Sequence, residues 1–407
     1  MKLGLTMFIL DNKFVITILK KNRKLFTSDL EKCNDFMSYV VRCSSFLVIG
    51  GAGSIGSATV KAIFKRNPKV LHVVDISENE LAELVRDLRS EYGYISGEFK
   101  TFAIDVGTDI YDKFINDFGE YDYVLNFSAL KHVRSEKDPY TLMRLIEVNI
   151  LNTIKTIEQA IEKKSKKYFC VSTDKATKPV NMMGASKRIM ELYLIKYSEF
   201  IDISTARFAN VAFSNGSLLH SFINRVQKKQ PIVAPDDVRR YFITPEESGM
   251  LCLLSAIFGE NLDLFFPKLD PDKDMMSFWE IAKLFLNYLG YEPYICETEE
   301  EARSLAKELP EKGKWACYIS KTDTTGEKEY EEFYTPTDKV DWDRFEDIGV
   351  IRMNHNINEN KLEYFLREIK SFRERKEWQK SDIVKLFKYI LPEFEHIEKG
   401  KYLDDKM

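Results

Sequence analysis

The sequence predicts an α/β protein: a doubly wound parallel (Rossmann) sheet with a smaller mixed α/β substrate lobe and a helical C-terminal tail. Three observations predict it. Short apolar runs alternate with helix-period segments from residue 46 to residue 210. A glycine triplet joins the first run to its helix. The alternation weakens after Asn210, and lysine- and glutamate-rich helical patterns close the chain.

Residues 1–44 read as a helical leader. Ser28 and Glu31 have the spacing of a capping box for a short helix reaching Tyr39. FLVIG (46–50) is a continuous apolar run suited to a buried parallel strand. After the glycines, ATVKAIFKRN (58–67) reads as a helix, LHVVD (71–75) as a second strand and ENELAELVRDLRSEYG (78–93) as a second helix. FKTFAID, YDYVLNFSA, KKYFCVST and DISTARFAN supply four more strands. Between them lie TLMRLIEVNILNTIKTIEQAIEKK (141–164) and GASKRIMELYLIKYS (184–198), both helical. Right-handed crossovers then place helices on both faces of the sheet. The expected boundaries are 45–210 for the Rossmann domain and 211–350 for the lobe, whose elements interleave with the core. The tail, 351–407, contains two helices; it is either a solvated appendage or an oligomer contact.

Charge and cysteine content narrow the class. The 407 residues carry 60 Lys and Arg against 64 Asp and Glu, a well-mixed formal charge of −4. This gives no broad nucleic-acid-binding surface. Cys33, Cys43, Cys170, Cys252, Cys296 and Cys317 are scattered without a Cys-x-x-Cys pair. That usage suits reduced thiols in a cytoplasmic protein and offers no metal site. The N-terminal run MKLGLTMFIL breaks at Asp11 with no small-residue cleavage site after it. The apolar run 249–259 is too short to span a bilayer. The expectation is a soluble protein without a membrane segment.

Gly50, Gly53 and Gly56 form G-x-x-G-x-x-G between the first strand and its helix. Glycine permits a tight turn and close backbone approach to a pyrophosphate, and the helix N-terminus offers free N–H groups. Ser54 and Ile55, inside the run, share that position. Asp75 ends the next strand, where an acid accepts hydrogen bonds from both ribose hydroxyls and repels a 2′-phosphate, favouring NAD over NADP. The competing role for Asp75 is a helix cap before SENE. Asp105 and Val106 end strand three and either flank the adenine or make a plain turn. Ser128 and Ala129, at the end of strand four, are further cofactor-binding candidates.

STDKATKPVNMMGASKR (172–188) carries the chemistry. Met183 and Lys187 share a helix face, but a thioether cannot exchange a proton. Asp174 and Lys175, adjacent at a strand end, supply two proton-transfer groups that can flank one ring, each typically worth ~10²–10⁴ in rate. Taken singly, Asp174–Lys175 also reads as a solvated pair, Met183 as core filler and Lys187 as a surface lysine.

GGAGSIG, NFSALKHV (126–133), this segment and RFANVAFSNGSL (207–218) together resemble the extended short-chain dehydrogenase/reductase superfamily. Within it they resemble the UDP-N-acetylglucosamine 4,6-dehydratases of bacterial surface-polysaccharide biosynthesis. VRRYFIT (238–244) is a weaker match. The resemblance implies that NAD accepts hydride from C4, that water leaves across C5 and C6, and that the hydride returns to C6. It implies that Ser172 and Thr173 face the C4 oxygen, with Thr173 relaying its proton. It assigns Asp174 as acid for the C6 hydroxyl, Lys175 as base at C5 and Lys187 to the nicotinamide ribose. A methionine at position 183, where relatives carry tyrosine, resembles the version that retains configuration at C5.

The substrate is then a nucleotide sugar, UDP- or GDP-linked. Lys131 and His132 follow strand four; Lys131 meets the sugar or a phosphate, and His132 is a proton-transfer group or a surface histidine. Asn210 follows strand six and holds the nucleotide diphosphate or sugar, with Ser217 a further candidate. Arg239 and Arg240 sit where the family places a diphosphate-binding arginine; an exposed basic pair is the competing reading. KWACYISKTDTTGEKEYEEFY (314–334) resembles the soluble branch serving legionaminic-acid-type sugars, with no mechanism attached. The best-known retaining members carry N-terminal membrane helices; this chain is expected to resemble a soluble form that starts near the catalytic domain. The superfamily commonly forms homo-oligomers.

Overall fold

A computed structural model gives the fold; it describes residues 12–21, 23–322, 326, 328, 330–396, 398 and 400. The N-terminal run MKLGLTMFIL therefore lies outside the described residues. The leader holds α1 (Asn12–Ile18) and α2 (Thr27–Cys43). Six strands and their helices follow in alternation: β1 (Ser45–Ile49), α3 (Ser54–Phe64), β2 (Val70–Asp75), α4 (Glu78–Tyr92), β3 (Glu98–Ala103), α5 (Asp109–Phe118), β4 (Tyr123–Asn126), α6 (Pro139–Ile146), α7 (Asn152–Glu162), β5 (Lys167–Thr173), α8 (Met182–Tyr197) and β6 (Asp202–Phe208).

The next segment mixes small elements with sheet strands. It contains β7 (Asn210–Val211), α9 (Leu218–Gln227), β8 (Ile232–Pro235), β9 (Arg239–Ile243), α10 (Pro245–Phe258), β10 (Asp263–Pro267), α11 (Pro271–Asp274), β11 (Met275–Ser277) and α12 (Phe278–Tyr288). Then come β12 (Glu292–Cys296), α13 (Glu299–Leu305), β13 (Lys314–Ser320), β14 (Val340–Asp341) and β15 (Ile348–Arg352). The tail forms α14 (Glu359–Arg375) and α15 (Lys380–Ile390).

Nine strands make the central sheet, in the order β14-β15-β10-β6-β5-β4-β1-β2-β3. All pairs from β3 to β10 are parallel, whereas β15 runs antiparallel to both β10 and β14. β1 is buried along its whole length, as a parallel strand covered on both faces must be. The strand order reverses between β1 and β4, and the crevice beyond their carboxyl ends is where open α/β sheets bind ligands. Two three-stranded sheets, β11-β9-β7 and β12-β13-β8, lie outside the main one.

Two local expectations change in the structure. The N-cap of α2 is Phe26, at φ +67°, with no side-chain cap. Ser28 instead donates to Glu346, and Asp347 accepts the Phe26 N–H at 2.7 Å, so tertiary contacts set this helix start. The long helix across 141–164 is interrupted by a π turn at Glu147–Leu151.

Among the described residues the tail packs its apolar side on the core and is not a solvated appendage. Leu362, Phe365, Ile369, Ile383 and Phe387 are buried in one cluster with Leu142 and Ile146 of α6 and Met183 and Ile189 of α8. Tyr193 Oη donates to Leu362 O at 2.7 Å across this packing. Beyond α15, His396 Nε2 lies 3.3 Å from Glu136 Oε2, which also accepts the Met182 N–H at 2.9 Å. The tail therefore reaches the first turn of α8.

Candidate active site

The glycine turn is built as its residue types require. Gly50 sits at φ +69°, and a Cβ there would lie 2.7 Å from Ser128 N. A Cβ on Gly56 would lie 2.2 Å from Gly50 O, so only glycine lets α3 close onto the turn. At Gly53, the N-cap of α3, a Cβ would meet only Gly50 O, at 3.5 Å. Space is thus open before the uncapped N–H groups of the first turn. Asp75 Oδ2 accepts the Ala52 N–H and Oδ1 the Ser77 N–H, each at 3.0 Å. The cap of α4 is Ser77, accepting from Glu80 N, so Asp75 has no capping duty. This open cradle, with a carboxylate at the end of β2, fits NAD; Gly50, Gly53, Ser54, Ile55, Gly56 and Asp75 would hold it.

Other cofactor candidates divide. Asp105 makes its own turn, accepting Gly107 N–H at 2.8 Å, and pairs with Arg144 at 3.0 Å. Val106 is buried in the core beside it. Ser128 N donates to Asn126 Oδ1, which sets the loop after β4 against the glycine turn; Ala129 follows it, partly exposed. Ser54 Oγ accepts the Asn215 N–H at 2.9 Å, tying the loop after β7 to α3.

The catalytic turn sits at the carboxyl end of β5. Asp174 is only 3% exposed and Lys175 18% exposed in its side chain, so this is no solvated pair. Asp174 Oδ1 accepts from Thr173 Oγ1 at 2.8 Å, Lys175 N at 2.8 Å and Lys175 Nζ at 3.2 Å. Burial presses the Lys175 pKa down, but the carboxylates of Asp174 and Glu331 outweigh it and hold the pKa above its ordinary value. A Cβ on Gly184 would lie 2.4 Å from Lys175 O, so α8 packs directly against this turn.

Lys187 is buried; it donates to Val171 O at 3.0 Å, and burial lowers its pKa. It is no surface lysine. Met183 is buried in the cluster shared with the tail, which is the packing role of a methionine. Ser172 Oγ donates to Glu191 at 2.7 Å.

Among the substrate candidates, alternation along β9 separates the two arginines. Arg240 is buried and donates to Lys328 O at 2.8 Å, and its charge acts on Lys175 and Glu331. Arg239 is exposed and donates to Met275 O. Lys131 donates to Asn215 O at 2.7 Å, and His132 lies against Gly216, at whose position a Cβ would sit 3.0 Å from its Nε2. Asn210 opens β7 beside β9. Ser217 caps α9, accepting from His220 N, which accounts for its hydroxyl.

Three residues escaped the sequence reading. Glu191 and Arg207 form a fully buried bidentate pair, Nε–Oε1 2.9 Å and Nη2–Oε2 2.7 Å, joined by Arg188 at 3.0 Å. Burial would raise the Glu191 pKa, but these guanidinium groups and Ser172 hold it down to about 2. An arginine inside the apolar strand ISTARF was the available signal, because a charge there requires a partner. Asn149, in the π turn, exchanges hydrogen bonds with Leu130 N and O and donates to Ser186 Oγ at 2.9 Å. It fixes α8 against the loop after β4.

A family model described as polysaccharide biosynthesis protein matches residues 46–353. The uncharacterized membrane protein MJ1061 of Methanocaldococcus jannaschii is 30% identical over 344 residues, 82% of this chain and 93% of that one. The capsular polysaccharide biosynthesis protein CapD of Staphylococcus aureus is 31% identical over 231 residues, 54% of this chain; the match spans only 37% of CapD. The solved structure of Pen from Bacillus thuringiensis has a TM-score of 0.62 at 22% identity, over 78% of this chain and 90% of that one, and shares the fold. No helix among the described residues is long and apolar enough to cross a membrane. Since the family match runs from β1 through β15 and so contains the whole central sheet, the chain belongs to the polysaccharide biosynthesis protein family.

Proposed function

We propose that this protein is an NAD-dependent nucleotide-sugar 4,6-dehydratase that takes UDP-N-acetylglucosamine, or its GDP counterpart, to the 4-keto-6-deoxy sugar with C5 configuration retained. The observation that carries the reading is the Thr173–Asp174–Lys175 turn at the carboxyl end of β5, with Asp174 buried and its neighbours half-buried, on the side of the sheet where the glycine turn opens. Bound NAD supplies the acceptor and store for the C4 hydride. Thr173 donates to Asp174 and so presents an oxygen lone pair for the C4 hydroxyl proton. Lys175 and its carboxylate neighbours manage the protons at C5 and C6. Arg240, turned inward on β9, stands by the substrate diphosphate or sugar. Met183 packs the back of α8 and needs no phenol for this scheme.

Incubation with each nucleotide sugar followed by mass spectrometry tests it. Loss of one water is expected. Unchanged mass with altered stereochemistry would instead identify an epimerase, and binding without conversion a sensor. In deuterated water the product should carry deuterium at C5 with gluco geometry; an inverted C5 contradicts retention. Asp174→Asn and Lys175→Met should fold, bind NAD and lose turnover by ~10²–10⁴.

A further inference from the structure

Gly326, Lys328, Glu331 and Phe333 lie against the catalytic turn and the elements beside it. Gly326 O accepts from Asn181, the cap of α8, at 2.8 Å. Lys328 O accepts from Arg240 and Phe333 O from Arg207, each at 2.8 Å. The Phe333 ring packs on Tyr241 and Phe266 at 5.4 and 5.7 Å. Glu331 is thereby held inside, its side chain 4% exposed, with Oε1 3.8 Å from Lys175 Nζ.

We propose that Glu331 is the acid of the elimination, giving its proton to the departing C6 hydroxyl while Lys175 takes the proton from C5. The assignment rests on the dehydratase reading and moves the acid role from Asp174. Asp174 Oδ1 already takes three donors. Glu331 differs: its Oε2 is buried with no hydrogen-bond partner among the described residues, and Lys328 Nζ lies 3.9 Å away. A buried carboxylate oxygen left without a donor is costly, whereas a carboxyl proton directed at a ligand hydroxyl satisfies it. Burial accordingly raises the Glu331 pKa, with Asp174 adding to it and Lys175, Arg240 and Lys328 opposing.

Lys175 and Glu331 together work as a one-proton pair. At rest the neighbouring carboxylates keep Lys175 as the ammonium; moving one proton from it to the Glu331 carboxylate as substrate seats gives amine and carboxyl, with the pocket's net charge unchanged. In that form both groups are ready for elimination. The C5–H proton goes to the Lys175 amine, and the C–H electrons become the C5–C6 double bond. The C6–O bond breaks, and the hydroxyl leaves as water with the proton from Glu331. The proton released earlier by the C4 hydroxyl balances the one that Glu331 gives up, and the Lys175 ammonium returns its proton to C5 when C6 is reduced.

Glu331→Gln is tested with UDP-N-acetylglucosamine and with its 6-deoxy-6-fluoro analogue, whose fluoride leaves with far less need of an acid. Turnover of the natural sugar should fall ~10²–10⁴, and fluoride release from the analogue less than ~10-fold. Lys175→Met should lose both. Glu331→Asp, which keeps a proton donor, should exceed Glu331→Gln on the natural sugar. Thermal melting and NAD binding check that each variant is folded. Equal losses on both sugars, unchanged turnover, or an Asp variant no better than Gln overturns the assignment alone, provided the parent protein dehydrates the sugar. A parent that does not dehydrate it overturns the dehydratase reading as well.

Discussion

The two ends of the candidate site are built by opposite means. The glycine-turn end comes from one βαβ unit, residues 50–56 with Asp75, and keeps its shape through backbone: a positive φ at Gly50 and contacts that exclude any Cβ at Gly50 and Gly56. The catalytic end is assembled from β5, α8, β6, β9 and the segment 330–334, and keeps its shape through buried charge. The first should fail when a carbon is added to its backbone, the second when a charge loses its partner.

Arg207→Met is the largest break of this comparison. It removes both guanidinium bonds to Glu191 and the bond to Phe333 O, leaving Glu191 buried with Arg188 and Ser172. Removing one member of a buried pair typically costs about 3–5 kcal/mol. Urea denaturation should show that loss; one below about 1 kcal/mol would mean buried charge does not hold this end.

Acid should act through the same carboxylate. The folded pKa of Glu191, about 2, lies below its ordinary 4.5. Its contribution is therefore fully present above pH 4.5 and is lost as pH falls towards 2. That shift corresponds to roughly 3 kcal/mol. Stability measured across this window should fall more steeply in the parent protein than in Glu191→Gln. Parallel curves would show that other groups govern the acid response.

At the glycine-turn end, Gly56→Ala places a Cβ 2.2 Å from Gly50 O, and backbone must shift. Overpacking of this kind costs about 1–3 kcal/mol, and NAD affinity should fall with it. Gly53→Ala meets only Gly50 O at 3.5 Å and should keep the fold. Calorimetry on the two variants sharpens the contrast; equal melting temperatures would remove the backbone argument.

The same contrast explains what was legible. β1 to β6 and their helices were readable because apolar period and glycine punctuation are local. Gly50, Gly56 and Asp75 were readable because their spacing within one unit states their geometry. Asp174 and Lys175 were readable as a pair, but not Glu331 beside them, because it lies far along the chain and only the fold brings it within 3.8 Å of Lys175. Glu191 carries no local signal within the helical run 184–198; only β6, through Arg207, makes it central. The start of α2 was missed for the same reason, since Glu346 and Asp347 come from the far end of the chain.

The smallest expected effect separates buried from exposed anchoring within the catalytic end itself. Lys178 and Glu332 form an ion pair at 3.0 Å beside the other anchors, with side chains 50% and 32% exposed. Solvent screens such a pair, which is typically worth about 0–1 kcal/mol. Lys178→Ala should therefore leave stability nearly unchanged and leave residues 330–334 as resistant to limited proteolysis as in the parent. Arg207→Met, by contrast, should expose them to cleavage, because Phe333 O loses its buried donor. If Lys178→Ala alone opened the segment to protease, the exposed pair would be the anchor, and Glu331 would owe its position to a surface contact rather than to the buried network.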